Sequence, residues 1–328
     1  MDRVEQTGKI KSIAIVGSTA SGKSALALAA AKHLDGEILS VDSMQVYRTM
    51  DIGTAKPTAA EQAAVRHHLI DICDPKTPFS AADFAPQALA CAKEVASRGK
   101  LPIFCGGTGL YLDSLMRGDA PSETAADEGV RAELRAFAEV NGAQALHARL
   151  AEVDPESAGQ IHANNVKRVI RALEVYLVSG KPKSAWDRES RLVPKAIEPV
   201  VIGLAYHDRE LLYARIDRRV DAMLEMGLLE ETRRLDADGV FAANSTAAAA
   251  IGYKELLPAI HGEMPLSEAV ETLKRATRRY AKRQMTWFSA KEYVQPLWCD
   301  TEDGEMRPFD DIFAELCEML EEKGILKP

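Results

Sequence analysis

Between residues 12 and 109, short apolar runs alternate with segments long enough to be helices. The first run opens 12–34 and passes through a glycine-rich turn into an Ala- and Leu-rich stretch, and further apolar runs follow at 37–43, 67–72 and 101–109. Strands that alternate with helices along a chain are typical of a parallel sheet with helices on both faces. The pattern therefore predicts an α/β fold for this part.

The pattern changes at about residue 118, after which we find no convincing strand until the apolar run at 197–206. The intervening segments 128–140 and 164–180 have helical periodicity, and the second ends on a glycine, as helices often do. After the fifth strand, the spacing predicts helices at 208–238, about 248–260, 265–289 and 307–323. We therefore predict an α/β core with C-terminal helices, made of residues 1–117 and 198–328. An all-helical insertion domain, residues 118–197, interrupts it.

The composition narrows the class of protein. Of the 328 residues 46% are hydrophobic and 27% charged, as in ordinary globular proteins, and no apolar run approaches the roughly 20 residues that span a bilayer. The five cysteines are scattered and never form C-x-x-C, which favours a reduced, cytoplasmic protein without a cysteine-bound metal. A net charge of −8 argues against a globally basic nucleic-acid binder but not against a local basic surface.

The stretch GSTASGKS at 17–24 fits the phosphate-binding pattern G-x-x-x-x-G-K-[ST]. Its two glycines let the backbone curl so that successive N–H groups face one anion. Lys23 adds a cation, and Ser24 adds a hydroxyl that can bind Mg²⁺. The motif predicts a phosphate site without telling ATP from another diphosphate ester. The predicted contact residues are Gly17, Ser18, Thr19, Ala20, Ser21, Gly22, Lys23 and Ser24.

Asp42 is the carboxylate that the predicted strands bring to this loop. It follows the second apolar run, and ligands of parallel sheets bind beyond the carboxyl ends of the strands. The fourth run continues into Gly-Gly-Thr-Gly instead, and the chain has no N-K-x-D motif for guanine. From its position, Asp42 can be a magnesium-side acid or a substrate-reading acid of the kind found in small-molecule kinases.

Several stretches resemble bacterial tRNA dimethylallyltransferases in order and spacing. They are GSTASGKS, SVDSMQVYRTMDIGTAKP, HHLIDICDP, FSAADF, FCGGTGLY, NNVKRVIRALEVY, IGYKEL and RRYAKRQMTWF. The resemblance covers about 10–290, and its most specific parts are 42–57 and 281–288. It implies a P-loop kinase-like core with a helical insertion. It also implies transfer of a dimethylallyl group from dimethylallyl diphosphate to the exocyclic N6 amine of the adenosine 3′ of the anticodon, in tRNAs that read codons beginning with U.

By the same resemblance, the loop holds the donor's diphosphate rather than ATP, and Asp42, Arg219 and Thr19 are catalytic. Asp42 would take a proton from the adenine amine, with a magnesium-linked acid as the alternative. Thr19, Arg219, the loop N–H groups and a Mg²⁺ ion on Ser24 would stabilise the charge that grows on the leaving diphosphate.

The arginines at 215, 218 and 219 have a second interpretation. From spacing alone they are better explained as a solvated helix face together with Asp217 and Asp221. The resemblance reverses that preference for Arg219 only.

A cationic segment predicts contact with RNA. Residues 273–291 carry seven Lys and Arg and no acid. On a helical wheel six of these cations share one half, and phosphate contact explains them better than solvation does. They are Lys274, Arg275, Arg278, Arg279, Lys282 and Arg283.

A second cationic group, Lys167, Arg168 and Arg171, lies in the insertion, where neutralisation by Glu174 is an equally good explanation from spacing. The target adenine must be flipped out of the anticodon loop, and we expect it in a channel between core and insertion. The residues that the resemblance assigns to tRNA are Asp42, Ser43, Met44, Gln45, Thr108, Arg131, Lys167, Arg168, Arg171, Lys282, Arg283 and Gln284.

Two positions depart from the family. Ser18 stands where the family usually has Pro, and alanines precede Ile251 where relatives often carry Gln or Arg, which puts a tRNA contact there in doubt. Two other functions stay open: a small-molecule or nucleotide kinase, and a non-catalytic RNA-binding protein with a vestigial loop. We find no coiled coil or repeated apolar surface and therefore expect a monomer.

Overall fold

The computed structural model describes residues 9–117, 127–190 and 195–326, which form six strands and fifteen helices. The strands are β1 (Ile13–Gly17), β2 (Gly36–Val41), β3 (His67–His68), β4 (Leu101–Gly106), β5 (Val200–Ala205) and β6 (Val294–Trp298). The helices are α1 (Lys23–His33), α2 (Ala59–Ala64), α3 (Ala81–Ser97), α4 (Gly109–Arg117), α5 (Glu128–Val153), α6 (Pro155–Gln160), α7 (Val166–Ser179), α8 (Lys183–Ser190), α9 (Arg209–Glu225), α10 (Leu228–Ala237), α11 (Val240–Ala243), α12 (Ser245–Ala248), α13 (Leu257–Ile260), α14 (Leu266–Ser289) and α15 (Phe309–Glu322).

The strands form one parallel sheet in the order β3-β2-β4-β1-β5-β6. β1 and β4 are buried along their whole length, as expected for strands covered on both faces. The predicted α/β class with a P-loop core is therefore confirmed. Because the strands are parallel, the carboxyl ends of β1 and β2 lie at the same end of the sheet, separated by β4.

Two strands differ from the sequence prediction. The pattern missed β6, which lies at the edge of the sheet, is only half-buried and contains Pro296. Proline is tolerated in edge strands, and partial exposure removes the continuous apolar run that marks a central strand. The predicted run at 67–72 shortens to the two residues of β3.

Helices cover both faces of the sheet. On one face α1, α9 and α15 pack on Ile13, Ile15 and Ile103. On the other face α3, α4 and α14 pack on the alternate residues Ala14, Val16 and Phe104. The alternation follows from the two-residue period of side chains along a strand.

The chain divides into two compact units. The first unit combines residues 1–116 and 196–328, and the second unit is residues 117–195. In the second unit, Leu146 and Leu150 of α5 pack against Val169 and Leu173 of α7. The predicted start of the insertion at residue 118 lies outside the described residues. Across the described ranges, every helix is too short or too polar to cross a membrane.

Candidate active site

The phosphate loop joins the end of β1 to the start of α1. Gly22 precedes α1 with φ +100°, a left-handed conformation that side chains rarely adopt. No side chain caps the helix at this position, so its first N–H groups are open to an anion. The sequence thus folds locally into the cradle that its glycines predict.

Four consecutive loop residues are bonded through their backbone to side chains. These bonds are Lys23 Nζ to the Ser18 carbonyl (3.0 Å), the Thr19 N–H to Gln284 Oε1 (2.9 Å), Arg215 Nε to the Ala20 carbonyl (2.9 Å) and the Tyr206 hydroxyl to the Ser21 carbonyl (2.9 Å). Ala20 itself has φ +61°, which is strained for a residue with a Cβ. The tethers hold this strained loop in one conformation before any ligand arrives.

Asp42 follows β2 and is fixed by the turn behind it. Its Oδ1 accepts hydrogen bonds from the N–H groups of Met44 (2.8 Å) and Gln45 (3.3 Å). Thr108, after β4, accepts the Ser43 N–H through its hydroxyl (3.1 Å). Oδ2 of Asp42 has no hydrogen-bond partner in the described part of the chain. One carboxylate oxygen is therefore held in place while the other is available for chemistry.

A cavity of about 320 Å³ joins these elements, all of them in the first unit. Thr19, Lys23 and Ser24 of the loop line it together with Asp42 and Arg219. Apolar side chains also line it, and we call this group the apolar wall: Ile216, Val220, Met223, Ile251 and Leu273. The cavity thus places a carboxylate, the cations Lys23 and Arg219 and an apolar surface around one space, and Lys254 and Arg283 line it as well.

Lys23 and Arg219, two of the cations that line the cavity, are only weakly compensated. Burial lowers the pKa of Lys23, the charge of Arg219 acts in the same direction, and Asp42 opposes them. Burial also lowers the pKa of Arg219, with Asp42 again opposing. Within the described ranges, neither cation has a carboxylate within the 4.0 Å of an ion pair. An anionic ligand would therefore stabilise both.

On α9, the structure argues against the solvated-face interpretation for Arg215 and Arg219, whereas Arg218 is exposed. Arg215 is bonded to the phosphate loop and Arg219 lines the cavity. Two acids of the same helix pair with α14 instead: Asp217 with Arg278 (2.6 Å) and Asp221 with Lys274 (2.7 Å). The helix therefore sorts its charges onto two faces.

These pairs correct the prediction for α14. Lys274 and Arg278 are neutralised by α9, so the six-cation stripe is not one RNA-binding face. Arg279, Lys282 and Arg283 stay exposed, and Arg283 also borders the cavity. A helical wheel cannot reveal which cations meet acids on a neighbouring helix.

Two glutamines that were predicted to contact tRNA form hydrogen bonds within the protein instead. Gln284 is buried and joins the Thr19 N–H to the Gly107 carbonyl (3.0 Å). Gln45 accepts from Ser40 (2.8 Å) and donates to the carbonyls of residues 54 and 55. Neither amide therefore has the free edge that base recognition would need. Both side chains instead stabilise the wall of the cavity. Ser43, Met44 and Thr108 lie beside Asp42, and their contact with tRNA stays a prediction.

The sequence analysis missed Glu231 on α10, which clasps two cavity-lining segments together. Its buried carboxylate accepts the N–H groups of residues 51, 52 and 53 (2.9–3.1 Å) and the Tyr253 hydroxyl (2.7 Å). Tyr280 of α14 also lines the cavity, and burial raises its pKa to about 12. Carboxylates that serve as backbone clamps leave no motif, so spacing could not reveal Glu231.

In the second unit, Arg131 and Arg171 share one carboxylate. The fully buried Glu174 accepts from Arg131 Nε (2.9 Å), Arg171 Nη1 (2.7 Å) and the Asp127 N–H (2.8 Å). Burial alone would raise the pKa of Glu174, but the hydrogen bond from Arg171 and its other partners outweigh burial and lower it. Lys167 and Arg168, one turn earlier on α7, are exposed.

Of the two departures noted in the sequence, the alanines line the cavity and Ser18 is buried in the loop. The Ser18 hydroxyl is buried and has no hydrogen-bond partner among the described residues. The alanines at 249 and 250 line the cavity together with Ile251. A polar side chain there would face the cavity.

The chain is similar over most of its length to proteins of one kind. A family model described as IPP transferase matches residues 45–291. The tRNA dimethylallyltransferase of Halalkalibacterium halodurans is 46% identical over 96% of this chain and 99% of that protein. The corresponding protein of Bacillus cytotoxicus is also 46% identical, over 99% of each.

Solved structures agree. The full-length tRNA isopentenylpyrophosphate transferase from Bacillus halodurans has a TM-score of 0.69 and 44% identity, over 95% of this chain and 96% of that one. A eukaryotic dimethylallyltransferase acting on tRNA has a TM-score of 0.79 and 28% identity, over 96% of this chain and 79% of that one.

Proposed function

The chain belongs to the IPP transferase family, and on this premise we propose its reaction. The two bacterial relatives compared above are tRNA dimethylallyltransferases. It transfers a dimethylallyl group from dimethylallyl diphosphate to the N6 amine of the adenosine 3′ of the anticodon. The tRNAs that it modifies read codons beginning with U.

One observation carries the proposal: the phosphate loop and Asp42 line the same cavity. A kinase also needs the loop and can use an acid at this position, so the apolar wall beside the half-free carboxylate is what favours prenyl transfer. The wall suits a five-carbon chain, and the free oxygen suits the proton of an amine.

The reaction needs two actions at once. The lone pair of adenine N6 attacks the first carbon of the allyl group while the bond from that carbon to the diphosphate oxygen breaks. Asp42 takes the proton from N6, and such help typically contributes about 10²–10⁴-fold. The loop N–H groups, Thr19, Lys23 and Arg219 stabilise the negative charge that collects on the diphosphate.

Mg²⁺ fits the residues at the start of α1. Ser24 offers an exposed hydroxyl there, and in the described ranges no cluster of three His, Cys, Asp or Glu side chains could form a closed metal site. Mg²⁺ commonly takes one or two protein ligands, with substrate phosphate and water completing its shell. When bound, the ion would add positive charge to the diphosphate.

The tRNA contacts that we propose are the exposed cations and the residues around Asp42. The cations are Lys282 and Arg283 on α14 and Lys167 and Arg168 on α7, together with the arginines that Glu174 holds. We propose further that the protein acts as a monomer in the cytoplasm. All five of its cysteines are free.

The proposal is tested by incubating the protein with unmodified tRNA, labelled dimethylallyl diphosphate and Mg²⁺, followed by nucleoside mass analysis. We expect one prenylated adenosine per tRNA and one pyrophosphate released. Phosphorylation of a metabolite by ATP without tRNA would identify a kinase. Binding of anticodon stem-loops without turnover would identify a non-catalytic RNA-binding protein.

A further inference from the structure

The charge sorting on α9 leaves three arginines facing the phosphate loop. Asp217 and Asp221 form ion pairs with Arg278 and Lys274 of α14. Within the described residues, no carboxylate lies within 4.0 Å of the guanidinium groups of positions 215, 218 and 219. This face therefore presents a positive charge that the folded chain does not compensate.

The uncompensated face borders a second cavity, of about 290 Å³, on the helix side of the loop. Loop residues 20 and 22–25 form one wall, and the three arginines form the other. Lys23, Ser24 and Arg219 line both this cavity and the main one. The two cavities therefore share the part of the loop that we expect to hold the phosphates.

Arg215 is placed to serve both the loop and a ligand. Its Nε donates to the carbonyl of Ala20, the loop residue with the strained left-handed backbone. A Cβ added at Gly22 would lie 3.6 Å from Arg215 Nη2, so the end of the guanidinium lies against the helix N-terminus. A forked guanidinium can hold a backbone carbonyl with one nitrogen and a phosphate with the others.

We propose that Arg215 is a further diphosphate-binding residue, which positions the loop through Ala20 and contacts the second phosphate. Arg218, exposed at the rim, adds only long-range charge. The inference rests on the proposed function, because it takes the anion to be the donor's diphosphate or the pyrophosphate product. It agrees with the pairing of Asp217 and Asp221 with α14, which leaves the arginines uncompensated.

The test is calorimetric titration of pyrophosphate with Mg²⁺ into the full chain and its variants. Arg215→Gln should weaken pyrophosphate binding by at least about tenfold, and Arg215→Lys should recover part of the loss. Arg209→Gln removes an exposed arginine from the start of the same helix, and this control should stay within about threefold of wild type. Tyr206→Phe removes the neighbouring neutral tether to Ser21 and measures the cost of losing a tether alone, which should be smaller than the loss in Arg215→Gln. The donor KM should rise with the dissociation constant while the tRNA KM holds.

Pyrophosphate affinity of Arg215→Gln within about threefold of wild type would overturn the inference, and so would an equal loss in Tyr206→Phe, which would make Arg215 a tether only. If Arg215→Gln does not fold, Arg215→Lys decides: weakened binding supports the inference and wild-type binding overturns it. Prenyl transfer by the wild type is scored separately. Its absence would remove the proposed function, while the pyrophosphate titration would still test Arg215.

Discussion

The backbone N–H of Thr19 donates to Oε1 of Gln284 at 2.9 Å, so the phosphate loop is bonded directly to α14. The other end of the amide donates to the Gly107 carbonyl, which fixes its orientation. A Cβ at residue 107 would lie 2.2 Å from Nε2 of Gln284, so only glycine leaves room for this bridge. The bridge ties the loop to the helix that carries the exposed cations.

Gln284→Glu should therefore weaken donor binding. The new carboxylate can still accept a hydrogen bond from the Thr19 N–H. It cannot donate to the Gly107 carbonyl, so two acceptors face each other there, and it brings a negative charge to a site that binds an anion. We expect the donor KM to rise about tenfold or more, measured by steady-state kinetics at saturating tRNA. Ser289→Ala, an exposed change near the end of the same helix, is the control. An unchanged donor KM for Gln284→Glu would mean that the bridge does not shape the phosphate site.

The cations of α14 should divide into two classes. Lys282→Gln should reduce the slope of log affinity for tRNA against log salt by about 0.7–0.9, since it removes one phosphate contact. Lys274→Gln should leave the slope nearly unchanged, because Lys274 is already paired with Asp221. Equal slope changes for both variants would contradict the charge sorting between α9 and α14.

Glu174 should stabilise the second unit in a pH-dependent way. Because its folded pKa is lowered, its contribution is complete above the ordinary value of 4.5 and is lost as pH falls through the lowered value. Glu174→Gln should cost about 2–3 kcal/mol of unfolding free energy at pH 7 and less in acid, measured by urea denaturation. Glu189→Gln, which breaks an exposed pair with Lys181, should cost under about 0.5 kcal/mol. A cost for Glu174→Gln that does not change with pH would contradict the assignment.

The sequence predicts those parts of the site that depend on local backbone geometry. The curl at Gly22 and the placement of Asp42 after β2 follow from a motif and from strand order. It does not predict contacts made between distant elements. The burial of Gln284 and the clasp at Glu231 depend on how helices pack, and a single residue on one helix carries no sign of its partner on another. The edge strand β6 is missed for a related reason, since its residues are only half-buried.

The central claim is that Asp42 takes the amine proton while the loop holds the diphosphate, and single-turnover transfer by Asp42→Asn tests it most directly. The measurement follows label from dimethylallyl diphosphate into an anticodon stem-loop with enzyme in excess, alongside pyrophosphate titration of the same variant. We predict a rate at least about 100-fold below wild type, with pyrophosphate affinity within about threefold. Transfer at a rate near that of wild type would contradict the account.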